Sequence, residues 1–129
     1  VRGFSGSLVA SILAVEFKKN IIIVRKETDL DLGASHSSSI VEYSEIPKRY
    51  VIVDDITSSG DTLRDIIVKI ENDELCGQSS GEINGVSMKA KCVGVFLYCN
   101  EDDGEANKII KELNKEFGLK IKLWMSTIF

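Results

Sequence analysis

The sequence predicts an α/β fold, a single domain with a parallel sheet flanked by helices. Three observations carry this. Short β-branched runs alternate with segments of helical periodicity along the chain. Residues 21–24 and 50–53 are continuous apolar runs, the pattern of strands buried on both faces, as in a parallel sheet. The length of 129 residues, 43% hydrophobic and 28% charged, suits one soluble domain over residues 1–129 with one substantial core.

In chain order, residues 1–4 read as the end of an apolar strand, and Ser5-Gly6-Ser7 as a turn. Leu8, Val9, Ile12, Leu13 and Phe17 then recur at helical spacing. Lys18 and Lys19 close that helix, where its dipole favours cations. The strand at 21–24 follows. Residues 26–45 are polar, with Ser35, Ser37, Ser38 and Ser39 gathered around His36, and read as a long mobile loop. After the strand at 50–53, Leu63, Ile66, Ile67 and Ile70 stand at i, i+3, i+4 and i+7, one face of an amphipathic helix. Residues 72–90 read as an irregular excursion that can turn as a hairpin at Asn84-Gly85. Residues 91–98 form a strand. Glu101, Asp102 and Asp103 crowd the start of a further helix, where negative charge is favoured. Ala106, Ile109, Ile110, Leu113 and Phe117 are its buried face and Gly118 its C′ residue. Residues 119–125 form the last strand, in which Trp124 reads as a core residue.

Composition excludes several function classes. The net charge of −4, without a basic stripe, makes no electrostatic case for nucleic acid. No apolar run approaches a membrane span. Three cysteines, Cys76, Cys92 and Cys99, fit neither a disulfide framework nor a zinc site, and suit a reducing cytoplasm. The chain opens on Val1 within an expected strand, so it reads as a piece whose true start is missing.

The most informative stretch is Val51-Ile52-Val53-Asp54-Asp55-Ile56-Thr57-Ser58-Ser59-Gly60-Asp61-Thr62. An apolar strand ends in two carboxylates, a hydroxyl- and glycine-rich turn follows, and a helix opens at Asp61 and Thr62. Such a turn can aim several backbone N–H groups at one phosphate, helped by the positive end of the helix. Two carboxylates beside that cradle can hold sugar hydroxyls, directly or beside a metal. No Lys-Ser/Thr pair follows the glycine and no G-x-G-x-x-G occurs, which excludes a Walker loop and a dinucleotide fingerprint.

This stretch closely resembles the phosphoribosyl diphosphate (PRPP) motif of type I phosphoribosyltransferases. The resemblance implies that fold, and Mg2+-dependent transfer of ribose-5-phosphate from PRPP to a nitrogenous base with release of pyrophosphate. It implies that Asp54 and Asp55 bind the ribose hydroxyls, with a metal contact open to both. Thr57, Ser58, Ser59, Gly60, Asp61 and Thr62 would bind the 5′-phosphate. Phe4-Ser5-Gly6-Ser7 is similar to the family's pyrophosphate loop, and Lys26 to the basic residue near pyrophosphate that ends a strand. Residues 27–45 occupy the place of the loop that closes over the transition state. Dimers are common in the family, which leaves a homodimer open.

Two positions depart from the pattern. Asp61 puts a carboxylate inside the phosphate turn, so its side chain must point out or cap the helix. Ser58 stands where enzymes of this family acting on 6-oxopurines usually carry Asp, which argues against guanine and hypoxanthine as the base. Two further readings stay open beside the enzyme: a non-catalytic regulator that binds PRPP or a nucleotide, and a fragment of a PRPP synthase.

Overall fold

A computed structural model of the chain describes residues 4–26, 39–55, 57–77, 82–83, 86–87, 89–99 and 103–126. The elements run α1 (Phe4–Phe17), β1 (Ile22–Val24), β2 (Val41–Tyr43), β3 (Arg49–Asp54), α2 (Asp61–Asn72), β4 (Glu82–Ile83), β5 (Val86–Ser87), β6 (Lys91–Leu97), α3 (Asp103–Phe117) and β7 (Lys122–Met125). Strands β3, β6 and β7 form a parallel sheet in that order, with helices in the connections between them. The α/β class and the parallel sheet are therefore as the sequence predicts.

The core lies where α2 and α3 meet this sheet. Leu63, Ile66, Ile67 and Ile70 of α2 are buried with Ala106, Ile109, Ile110 and Leu113 of α3, against Ile52, Val95 and Leu97 of the strands. Both helices are strongly amphipathic, so each has one orientation that removes its apolar stripe from water. Gly118, at φ 64°, ends α3 in the left-handed conformation expected of a C′ glycine. Asn114 then ties the helix to the next strand: its Oδ1 accepts from Ile121 N–H at 2.7 Å and its Nδ2 donates to Ile121 C=O at 3.3 Å.

A bulge in β6 keeps the core face continuous. Tyr50 pairs with Cys92 but Val51 with Gly94, so Val93 is an extra residue. Cys92 and Val95 thereby both face the core although they are an odd number of positions apart. Cys99 lies beyond the strand and is exposed.

Several local expectations are corrected. Residues 4–7 belong to α1 rather than to a strand end and turn; the helical spacing that starts at Leu8 extends one turn backwards, because nothing in Phe4-Ser5-Gly6-Ser7 breaks it. Residues 1–3 lie outside the described residues. The run at 21–24 does not enter the parallel sheet. It forms β1, antiparallel to β2, with Val24 buried and Ile23 exposed. The polar segment 26–45 contains a strand, β2, and its centre, residues 27–38, lies outside the described residues. β3 is not buried on both faces: Tyr50, Ile52 and Asp54 are buried while Val51 is 45% exposed. Trp124 is not a core residue but 48% exposed, its ring over Gly94, where a Cβ would collide with it. The hairpin expected at residues 84–85 is present as the antiparallel pair β4–β5, although the turn residues themselves lie outside the described set.

Candidate functional site

The carboxyl end of β3 brings Asp54 and Asp55 to the start of α2. Alternation along β3 sends Asp54 to the same side as Tyr50 and Ile52, and the residue is only 7% exposed. The Asp55 N–H donates to Asp54 Oδ1 at 3.1 Å. No basic side chain forms an ion pair with Asp54 among the described residues. Burial therefore dominates and pushes the Asp54 carboxyl up to about 6; the Asp55 N–H opposes that rise and the Asp55 charge adds to it. The following strand is stitched to the dyad, since Tyr98 N–H donates to Asp54 C=O and Cys99 N–H to Asp55 C=O.

The turn after the dyad ends on Gly60, at φ 78° and ψ 2°, immediately before α2. A side chain there would be strained by the backbone, and its Cβ would lie 2.5 Å from Ile109 Cγ2 of α3. Glycine thus lets the turn reverse sharply while α3 packs directly on it. Gly60, at the N-cap of α2, has no side chain to cap it, and the Asp61 N–H donates instead to Ser59 Oγ at 3.3 Å. The first N–H groups of a helix have no partner within it, and here they open on a turn of hydroxyl residues. Thr57 is buried, whereas Ser58, Ser59 and Thr62 are exposed.

Asp61 resolves the electrostatic difficulty by pointing outward. Its side chain is 80% exposed. Ser59 Oγ donates to Asp61 Oδ2 at 2.7 Å, and Arg64 Nη1 reaches Asp61 Oδ1 at 3.3 Å. Arg64 also pairs with Glu116 through Nε at 2.9 Å, which links the start of α2 to the end of α3. The exposed carboxylate therefore sits at the start of the helix, where negative charge is favoured, hydrogen-bonded back to Ser59 of the turn and forward to Arg64.

The structure does not gather the other sequence-derived residues as closely. Ser5, Gly6 and Ser7 lie in the first turn of α1, and Ser11 Oγ donates to Ser7 C=O as one helical turn does to the next. Lys26 is exposed and follows Arg25. The Arg25 C=O accepts from Lys69 Nζ at 3.1 Å, and Arg25 Nη2 pairs with Glu42 Oε1 at 3.0 Å. Lys69 stands eight residues into α2, roughly 12 Å of helix rise from the turn that precedes the helix. The strand end bearing Lys26 is thus tied to the second half of α2 rather than to its start.

Sequence reasoning missed one polar cluster. Tyr43 Oη donates to Asp73 Oδ1 at 3.0 Å, and the same oxygen accepts from the Leu75 and Cys76 N–H groups at 3.1 and 2.9 Å. Burial raises the Asp73 carboxyl, but these hydrogen bonds outweigh it and hold the group below the ordinary carboxylate range. Cys76 is fully buried, and burial pushes its thiol up to about 11. The cluster clamps β2 to the end of α2; the signal for it was an Asp just past a helix C-terminus.

No group of three or more potential metal ligands occurs among the described residues. Asp54 and Asp55 are the adjacent carboxylates that could contact a hard cation such as Mg2+. No helix among the described residues is long and apolar enough to cross a membrane. Compared with family models and with curated proteins, the chain matches none.

Proposed function

We propose that this chain is a phosphoribosyltransferase of the type I fold, acting on PRPP and a nitrogenous base. One observation supports this above all. A strand ends in a buried, charge-costly Asp54 beside Asp55, and the next turn, closed by left-handed Gly60, opens directly into a helix. That is a sugar-binding pair of carboxylates set beside a phosphate cradle.

In this reading the turn Thr57, Ser58, Ser59, Gly60, Asp61 and Thr62 holds the 5′-phosphate through backbone N–H groups and hydroxyls, with the Asp61 carboxylate kept outside. Asp54 and Asp55 hold the ribose 2′- and 3′-hydroxyls and favour the positive charge that develops at the anomeric carbon as pyrophosphate leaves. Mg2+, held at the dyad and on PRPP oxygens, supplies neutralisation of the leaving group's charge. Ser5, Gly6, Ser7 and Lys26 face pyrophosphate only if their segments move towards the turn when ligand binds, a rearrangement of the kind common in enzymes that close over substrate. Ser58 lacks the carboxyl that would exchange a proton with a 6-oxopurine, which directs the reading towards adenine or a pyrimidine.

Calorimetry with PRPP and Mg2+ tests the site. Binding is expected for the native chain and strongly weakened in the Asp54→Asn/Asp55→Asn double variant; equal affinities would remove the assignment. Turnover with adenine, uracil, orotate, hypoxanthine and guanine then tests the enzyme. PRPP binding without turnover of any base would favour a regulator that binds PRPP, and dependence on ATP would favour a PRPP synthase.

A further inference from the structure

Ser59 and Asp61 bind each other at the start of α2. Ser59 Oγ donates to Asp61 Oδ2 at 2.7 Å, and the Asp61 N–H donates back to Ser59 Oγ at 3.3 Å. The Ser59 hydroxyl and the Asp61 N–H are two of the donors that the proposed function gives to a 5′-phosphate. In this ring both are engaged, and the oxygen that takes the hydroxyl proton belongs to a carboxylate. A carboxylate at a helix start carries the same sign of charge as a phosphate and is favoured by the same dipole. Asp61 therefore occupies, with an oxygen of its own, a donor that a phosphate oxygen would use.

The other Asp61 oxygen is held by Arg64. Arg64 Nη1 donates to Asp61 Oδ1 at 3.3 Å, an i,i+3 pair on the surface of α2. Arg64 is itself fixed at both ends. Its backbone N–H donates to Gly60 C=O at 2.9 Å. Its Nε donates to the two oxygens of Glu116 at 2.9 and 3.3 Å, so α3 holds the guanidinium. The Asp61 side chain is 80% exposed and that of Arg64 33%. Of the two, Asp61 is the one with room to reorient.

We propose that Asp61 is an internal competitor for phosphate at this turn, and that Arg64 is the positioning residue that withdraws it. On phosphate binding, Ser59 Oγ exchanges its Asp61 acceptor for a phosphate oxygen. The released carboxylate turns onto Arg64, which Glu116 keeps in place. Arg64 acts through Asp61 and touches neither phosphate nor ribose. The inference rests on the phosphate-binding role proposed for the turn. It adds to that role a carboxylate that lowers affinity and a cation that limits the loss.

Calorimetry at low ionic strength, with ribose-5-phosphate as the probe, tests this. Asp61→Ala should bind the probe about fivefold more tightly than the native chain, and Arg64→Ala about fivefold more weakly, the size of one charge–charge contact at a protein surface. Arg64→Lys keeps the cation and should recover most of the native affinity. In the Asp61→Ala background Arg64 has nothing to withdraw, so Arg64→Ala should change affinity by less than about twofold there. An Arg64 that only supports the fold, or that attracts phosphate directly, would cost the same in both backgrounds, and that result overturns the inference. Unchanged or weaker binding by Asp61→Ala also overturns it. Either outcome leaves the phosphate site standing, because the native chain still binds the probe. Absence of binding by the native chain would instead remove the site, and this inference with it. The Asp61→Ala arm leaves the contact of Arg64 with Glu116 in place, so it decides the matter even if Arg64→Ala folds poorly.

Discussion

The two surroundings of the β3–β6–β7 sheet differ sharply. Against α2 and α3 the interface is closed: Leu63, Leu113 and Val95 are fully buried and the helices show their polar sides to water. Around α1 and the β3 edge an apolar groove remains, and Leu8, Ile12, Val15 and Phe17 of α1 are exposed, Val15 to 81%. The sequences explain the contrast. α2 and α3 carry apolar residues on one stripe only, so each has one way to dock. α1 is apolar nearly all round, with Glu16 as its one charged residue, so burying one face leaves another apolar face outside. Residues Leu8, Ile12 and Val15 stand at i, i+4 and i+7 and form that outer stripe. A strong periodicity specifies packing; high hydrophobicity without periodicity specifies only that something should cover it.

The largest expected effects fall on the closed side. Leu63→Ala or Ile66→Ala should destabilise by about 2–5 kcal/mol, because the cavity cannot fill, whereas Val51→Ala should cost under about 1 kcal/mol. Urea unfolding of the three variants checks this, and equal costs would break the contrast. Gly60→Ala should destabilise by about 2–4 kcal/mol through its left-handed backbone and the collision with Ile109. Ile109→Ala should then cost less in the Gly60→Ala background than in the native chain, as a double-mutant cycle would show.

A smaller effect belongs to the dyad. The folded-state pKa of Asp54, about 6, lies above its ordinary value of 3.8, so the folded chain holds the proton more tightly than the unfolded one. This group's contribution to stability is full below about pH 4, declines as pH rises through about 6, and stays lost above. Asp54→Asn should therefore stabilise the chain at pH 8 by about 2 kcal/mol, with the gain vanishing near pH 4, while PRPP binding falls. Urea unfolding of both proteins across that range checks the sign; a gain that grew at low pH would contradict the buried position of Asp54.

The smallest effects are on α1. Lys18 follows the helix at φ 51°, a left-handed conformation that costs a non-glycine residue, so Lys18→Gly should stabilise by about 1 kcal/mol. Val15→Glu should change stability by less than about 0.5 kcal/mol. Urea unfolding of Val15→Glu beside the native chain checks this, and a loss above about 1 kcal/mol would mean that this face is packed.

Much of the candidate site was legible in residues 51–62, because its chemistry is local. A strand, two carboxylates, a turn and a helix in succession need no distant partner to be recognised. That the Asp61 side chain would point out or cap the helix was expected from charge, and it is exposed at the start of α2. The burial of Asp54 and the contact of Gly60 with Ile109 were not legible, since each depends on where another element packs. Ser5, Gly6 and Ser7 misled for a related reason. Small polar residues suit a turn and the start of a helix equally, and local propensity does not separate the two. The run at 21–24 shows the same limit, because a β-branched tetrad says strand but not which sheet.

The sequence by itself determined the elements whose patterns are short-ranged: the apolar faces of α2 and α3, the left-handed stop at Gly118, the β4–β5 hairpin, and the acidic pair leading into the glycine turn before α2. Tertiary structure alone decided the strand order, the antiparallel pairing of β1 with β2, the bulge at Val93, the half-exposed place of Trp124 and the charge cost at Asp54. Periodicity and turn chemistry act over a few residues and are written in the chain, whereas burial, register and pKa arise from contacts between segments that are far apart in sequence and meet only on folding.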